Sequence, residues 1–294
     1  MSAARERAAL VALLRLNQRP WLEYAEAVES SGSAIAVLEA ELSSEGGQAT
    51  LLPAAPEPLL ADAEAAIAAW DAEGFTLLTV LDAAYPTNLR TVHDRPPLVF
   101  VGGALAPADA RSVAVVGTRR ASQAGQAAAA HVAEALTRAG YVVVSGLAAG
   151  IDTAAHEAAL GAGGRTVAVI GTGLRHSYPP ENATLQRRIA ASGAVVSQFW
   201  PAAPPSRASF PLRNGVMSGL ALGTVVIEAS FRSGARLQAR LALAHGRPVF
   251  LWRSVLEEPW ARDFAERPGV YVVEEPAQVM QTVERLNAVD ELVE

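Results

Sequence analysis

The chain has 294 residues, 51% of them hydrophobic and none a cysteine, which suffices for one large or two smaller cored domains and excludes disulfides and thiolate metal sites. Its net charge of −6 is unevenly spread: −9 over residues 1–110, +10 over residues 111–253, where 15 Arg face 5 acids, and −7 over residues 254–294. A basic middle between acidic flanks is the footprint of a polyanion-binding domain, which the average conceals.

The opening MSAARERAALVALLRL is broken by charges, unlike the uninterrupted apolar core of a secretory signal. No apolar run nears the ~20 residues that cross a bilayer, so a cytoplasmic protein is expected. Residues 1–45 show helical periodicity (Leu10, Val11, Leu13, Leu14, then Trp21, Tyr24, Val28, then Ile35, Val37, Leu38) with SSGS as a break. SSEGGQATLLPAAPEPLL reads as a linker, giving an expected helix-hairpin-like domain with its linker over residues 1–60 and a second domain over residues 61–294. A helix near Asp62–Glu73, a strand FTLLTVLD, a proline-punctuated connection and a strand LVFVG follow.

From residue 111 the pattern becomes regular. The apolar runs SVAVVG, YVVVSG, TVAVIG, AVVSQ, TVVIEA and PVFLW alternate with helical stretches at Gln123–Ala139, Thr153–Leu160, Asn182–Ala191, Pro211–Leu220 and Gly234–Ala244. Strands apolar throughout and separated by helices predict an α/β domain: a doubly wound, mostly parallel, Rossmann-like sheet covered on both faces. The end, GVYVVEEPAQVMQTVERLNAVDELVE, reads as one more strand and an acidic helix, with no winged helix expected.

Three of the predicted strands end in glycine turns, where such sheets bind ligands. In GTRRAS, Gly117 permits a tight turn, Thr118 and Ser122 offer hydroxyls, and Arg119 and Arg120 bring charge. The dinucleotide fingerprint G-x-G-x-x-G is missing here, and Ser145 and Gly146 stand where its acidic residue would be, which argues against NAD. SGLAAGIDTAAH adds Ser145, Gly146, Asp152 and His156; the last two, four apart on one helix face, are expected to pair as a brace beneath the turn rather than to serve a Ser/Asp/His triad. A glycine turn opening a helix also offers backbone N–H groups to phosphate. GTGLRHSYPPEN supplies Arg175, His176, Tyr178 and Asn182, an aromatic ring among basic groups suited to stacking on a base. In ASFPLRNGVMSGL, Arg213 and Asn214 open a helix. The five histidines, His93, His131, His156, His176 and His245, show no paired ligand spacing, so neither a metal nor another cofactor is expected.

In their order and separations, GTRRAS, SGLAAGIDTAAH, GTGLRHSYPPEN, FPLRNGVMSGL and TVVIEASFRSG closely resemble the DNA-processing protein A family, also called DprA or Smf. The likeness begins at LDAAYPTNLRTVHDRPPLVFVGG and runs to about Pro248. The resemblance implies a non-enzymatic single-stranded-DNA-binding protein of natural transformation that protects incoming strands and loads the RecA recombinase, as a homodimer. It places a DNA pocket at Gly117–Arg119, at Ser145–Gly146, and at the loop of Arg175 and Tyr178, with Arg213 and Asn214 matching the family's Arg-Asn pair. The chain departs from the pattern at Gly215, where the family tends to have a second Arg. It departs again at ARLQAR after Gly234, and at LWRS in place of Pro-Gly, with Arg232, Arg236 and Arg240 expected to compensate in charge. The rival readings are a nucleotide sensor or hydrolase, for which Glu228 is the nearest candidate acid, and a partner-binding scaffold.

Overall fold

A computed structural model gives the structure of the protein and describes residues 2–44 and 56–290. Three helices come first: α1 (Ala3–Leu16), α2 (Trp21–Ser31) and α3 (Ala34–Ser44). Every residue from Ala8 to Leu14 is buried, so α1 is enclosed on all sides, by α3 and by α4 (Pro56–Ala72) among others. The Glu6 carboxylate on α1 accepts the N–H of Ala34 (2.6 Å) and Ile35 (3.2 Å), satisfying donors that the start of α3 leaves without intrahelical partners. Of the expected linker, residues 45–55 lie outside the described residues. Its last five residues, 56–60, are instead the first turn of α4, where a leading proline has no N–H to lose.

β1 (Phe75–Thr79) is shorter than its apolar run. Asp82 accepts both the N–H and the hydroxyl of Thr79 at 2.8 Å, which folds the chain back before the strand can continue. The remaining elements are α5 (Thr87–Arg90), β2 (Leu98–Gly103), β3 (Ser112–Val116), α6 (Gln123–Arg138), β4 (Val142–Ser145), α7 (Ile151–Gly161), β5 (Thr166–Val169), α8 (Ala183–Ser192) and β6 (Ala194–Ser197). Then come α9 (Ser209–Leu220), β7 (Thr224–Val226), α10 (Gly234–Ala244), β8 (Val249–Trp252), α11 (Pro259–Ala265), β9 (Val270–Val273) and α12 (Pro276–Asp290).

The nine strands form one sheet in the order β1-β2-β6-β5-β4-β3-β7-β8-β9. β1 and β2 pair antiparallel and join β6 antiparallel; every pairing from β6 to β9 is parallel. This is the doubly wound, Rossmann-like sheet expected, with an antiparallel pair added at one edge. Strand alternation divides the core. Val113, Val115, Val143, Val225 and Ile227 pack with α6, α7 and α12, while Ala114, Val116, Val142, Val144 and Val226 belong to the core of the other face, with α9 and α10. Trp200, just after β6, lies 5.3 Å from Trp21 and 5.8 Å from Trp70 between ring centroids, fastening α2 and α4 to that edge of the sheet.

Strand order reverses at β3, which has β4 on one side and β7 on the other. Crossovers diverge there and leave a crevice beyond the carboxyl ends of the strands.

Candidate nucleic-acid interface

That crevice holds a cavity of about 380 Å³, lined among others by Gly117, Thr118, Arg119, Arg120, Asp152, Phe210, Arg213, Asn214 and Arg232. A neighbouring cavity of about 520 Å³ shares Arg119 and Arg120 and adds Asn182, so the two arginines form the ridge between them. Asp152 is the only carboxylate or imidazole among the described residues that line the first cavity, which therefore offers no ligand set for a metal.

The GTRRAS turn is fixed from both sides. Thr118 N–H donates to the Glu228 carbonyl (2.7 Å), and the Thr118 carbonyl accepts from Ile151 N–H (3.3 Å). A Cβ on Gly117 would lie 2.4 Å from Ile151 Cγ1, so glycine alone allows this approach of α7. Glu228, the candidate acid of the hydrolase reading, is already engaged: its carboxylate accepts the Ser122 N–H (3.1 Å) and hydroxyl (2.9 Å) at the start of α6, where Ser122 caps Gly125.

Beneath the cavity, Ser145 is fully buried and its Oγ donates to the Val115 carbonyl (2.6 Å), tying β4 to β3. Gly146 makes room for Arg213, whose Nη1 donates to the Val169 carbonyl (3.0 Å). The Asp152 carboxylate accepts the N–H of Gly146 (3.2 Å) and of Ala148 (3.3 Å). These turn amides thus hold Asp152 and are not free for an incoming phosphate, contrary to the expectation from the glycine spacing. Burial pushes the Asp152 carboxyl up, against the opposing pull of Arg213 and the backbone N–H groups. Burial, joined by the charge of Arg119, pushes Arg213 down, against the pull of Asp152.

The expected Asp152–His156 pair is not formed. His156 Nδ1 lies 2.7 Å from Thr166 Oγ1, and that hydroxyl donates to the Val143 carbonyl (2.6 Å), so Nδ1 carries the proton. The brace is therefore two separate ones, Asp152 under the turn and His156 between α7 and β5. Burial first and Arg213 second lower the His156 pKa to about 3, with the Ser145 backbone acting the other way. The imidazole is neutral in the fold.

The third loop divides. Asn182 is buried and donates to the Leu147 carbonyl and Thr153 Oγ1, both at 2.9 Å, joining the second and third turns. Tyr178 is 39% exposed, with its ring 5.5 Å from that of Phe210. Arg175 and His176 point elsewhere, the first forming an ion pair with Glu73 (Nε to carboxylate 2.7 Å) and the second facing the Ala202 carbonyl (3.1 Å). Neither lines the two cavities. Asn214 is buried and donates to the Gly234 carbonyl (3.3 Å), anchoring the loop that carries Arg232.

One contributor was not singled out by sequence reasoning, and a second, Arg232, was read there only as compensating charge. Phe210 lies under the Arg119 guanidinium at 5.1 Å and beside Tyr178, and its only sequence signal was an aromatic residue three before Arg213. Arg232 reaches the same rim from the loop after β7.

Several arginines are paired with acids, and those of the rim are not. Arg111 pairs with Glu284 (3.1 Å), Arg165 with Asp109 (2.6 Å), and Arg175 and Arg253 with Glu73 and Glu274, so acids of the flanks engage four arginines of the basic segment away from the crevice. Among the described residues, Arg119, Arg120 and Arg232 have no carboxylate within 4.0 Å. No described helix is long and apolar enough to cross a membrane.

The family model described as DNA recombination-mediator protein A matches residues 76–288. The chain is 43% identical over 176 residues to DNA processing protein DprA of Streptococcus pneumoniae, a match covering 60% of this chain and 62% of that protein. It is 35% identical over 196 residues to the Bacillus subtilis protein of the same name, covering 66% of each. The chain thus spans a little under two thirds of the length of these relatives. The X-ray structure of DprA from Streptococcus pneumoniae superposes with a TM-score of 0.67 at 34% identity, over 83% of this chain and 91% of that one. The structure of the Helicobacter pylori DNA processing protein A, described for its single-stranded DNA binding mode, gives 0.64 at 25% identity, over 72% and 96%.

Proposed function

The chain belongs to the DNA recombination-mediator protein A family, and on that premise we propose that its crevice grips the backbone of a single DNA strand without cleaving it. The observation that carries this reading is a cluster of arginines at one place: Arg119, Arg120 and Arg232 stand around one rim with no carboxylate within 4.0 Å, above the buried Arg213, while Arg111, Arg165, Arg175 and Arg253 away from it are matched by acids. Guanidinium groups free of carboxylates are available to phosphates. The Tyr178 and Phe210 rings beside them offer a face to unstacked bases, a feature of use to a single strand and not to a closed duplex. Gly117, Thr118 and Asn214 shape the cavity wall; Ser145, Gly146 and Asn182 hold it from behind. Arg175 and His176 lie outside the two cavities, and Arg175 would meet a strand only by giving up Glu73. As in the role implied by the family, the bound strand is handed to the RecA recombinase in the cytoplasm during natural transformation, and the working form is a homodimer.

The hydrolase reading is disfavoured by Glu228, whose carboxylate is engaged at the start of α6. Fluorescence anisotropy of labelled oligo-dT against salt, with a duplex of equal length alongside, tests the proposal. Tight, salt-sensitive binding of the single strand with weaker duplex binding supports it; indifference to oligo-dT at low salt refutes it.

A further inference from the structure

A second cluster of polar side chains lies away from the crevice rim. His93 and Asp94 stand in the turn after α5, and His245 closes α10, 151 positions beyond Asp94. The fold sets them together: His245 Nε2 is 2.7 Å from Asp94 Oδ1, the two imidazole centroids are 5.4 Å apart, and one ligand atom from each residue lies within 4.8 Å of the others. We propose that His93, Asp94 and His245 form a binding site for a divalent transition cation of the zinc type, with solvent as the fourth ligand. Two imidazoles and one carboxylate around an open position are a donor set that such ions accept. Spacing along the sequence gives no sign of it.

The His245 ring is oriented by a hydrogen bond on its far nitrogen. The Ser218 hydroxyl, on α9, lies 2.9 Å from His245 Nδ1 and 3.1 Å from the Gly215 carbonyl. That contact holds the ring with Nε2 facing Asp94, as an outer hydrogen bond does for a metal-ligating histidine. No arginine among the described residues lies within 4.0 Å of Asp94 to neutralise it. Gly215 contributes to this, because a Cβ there would already approach Asp94 Oδ2 at 3.4 Å and glycine places no side chain beside the carboxylate.

The ligands are also held in place before any ion arrives. Arg247 Nη2 donates to Thr91 Oγ1 (2.9 Å) and to the Asn88 carbonyl (3.3 Å), fixing the turn against the end of α10. A Cβ on Gly219 would lie 2.7 Å from Leu89 Cδ1, so α9 packs closely on the same turn. His93 and Asp94 are exposed, which leaves the site open to an ion from solvent, while the His245 ring is fully buried.

The test uses the full chain without a histidine tag, stripped with EDTA. Zn²⁺ is titrated by calorimetry and Co²⁺ by visible absorption, which reports tetrahedral geometry directly. The expected result is one saturable ion per chain with a tetrahedral Co²⁺ spectrum and a Zn²⁺-dependent rise in Tm. His93→Ala, at an exposed position, abolishes the Co²⁺ spectrum while the metal-free Tm stays unchanged. Ser218→Ala weakens Zn²⁺ about 10- to 100-fold by releasing the His245 ring. His131→Ala, on α6, leaves binding intact. No saturable binding by the unaltered chain, or equal affinity in His93→Ala, overturns the assignment.

Discussion

The Arg213 guanidinium occupies the space in which a side chain at residue 146 would begin: a Cβ built on Gly146 lies 1.4 Å from Arg213 Nη1. Arg213 cannot retreat without giving up its bond to the Val169 carbonyl (3.0 Å) and its proximity to Asp152. Gly146→Ala is therefore expected to cost about 1–3 kcal/mol of stability through overpacking. It is also expected to weaken strand binding by moving the cavity floor. Urea unfolding and oligo-dT anisotropy on the same preparation measure both; an alanine variant matching the original in both shows that Arg213 is not held as described.

The free arginines differ from the paired ones in a way salt reveals. Removing one arginine–phosphate interaction reduces the slope of log K against log salt by about 0.7 for a single strand. Arg119→Ala and Arg232→Ala are each expected to lower oligo-dT affinity and flatten that slope by about this amount, with unchanged Tm, since both side chains are exposed. Arg175→Ala is expected to do less, because Glu73 already engages it. Equal effects from all three would contradict the division drawn between rim and periphery.

Tyr178 offers a ring face beside Phe210 at the cavity edge. Tyr178→Ala is expected to cost about 1–3 kcal/mol of oligo-dT binding, the range for loss of one base stack, with the salt slope preserved. A fall in slope as large as that of Arg119→Ala would mean that the variant disturbs the arginines and not a stack.

His156 should make stability depend on acidity. Its pKa is lowered from 6.5 to about 3 in the fold, so the unfolded chain binds a proton that the native chain does not. Its contribution is complete above pH ~6.5 and is lost as pH falls toward 3, at up to about 1.4 kcal/mol per pH unit. Asp152 works oppositely: its raised pKa gives stability present below the ordinary carboxylate range and lost as pH rises through the native value. The comparison that isolates the histidine is a pH series of urea midpoints for the unaltered chain and His156→Gln. The variant should lack the acid-side component, and parallel curves would show that the ring is not buried neutral.

The parallel sheet was legible because its strands are buried on both faces and written as unbroken β-branched runs, such as SVAVV and VVVS. The glycine turns were legible for the same local reason. What escaped reading was set by packing between distant segments. Asp152 and His156 share a helix face, yet the nearest partners of each come from other elements: turn amides for one, Thr166 for the other. The amides that glycine spacing suggested for phosphate are consumed by a carboxylate of the same chain. Phe210 and Arg232 reach the site through α9 and the loop after β7, and neither stands in the glycine turns that sequence reasoning took for the pocket.

Arginines without acid partners gathered at the crevice, and acids concentrated in the two flanks, give the molecule an uneven charge distribution despite its negative total of −6. Far away, a DNA strand meets a weakly repellent particle; nearer, its field exerts a torque that turns the uncompensated rim toward it. Most of the surface would then shed polyanions, and encounters would be filtered by orientation before the two molecules touch. Such a protein can work in a crowd of nucleic acid without being coated by it.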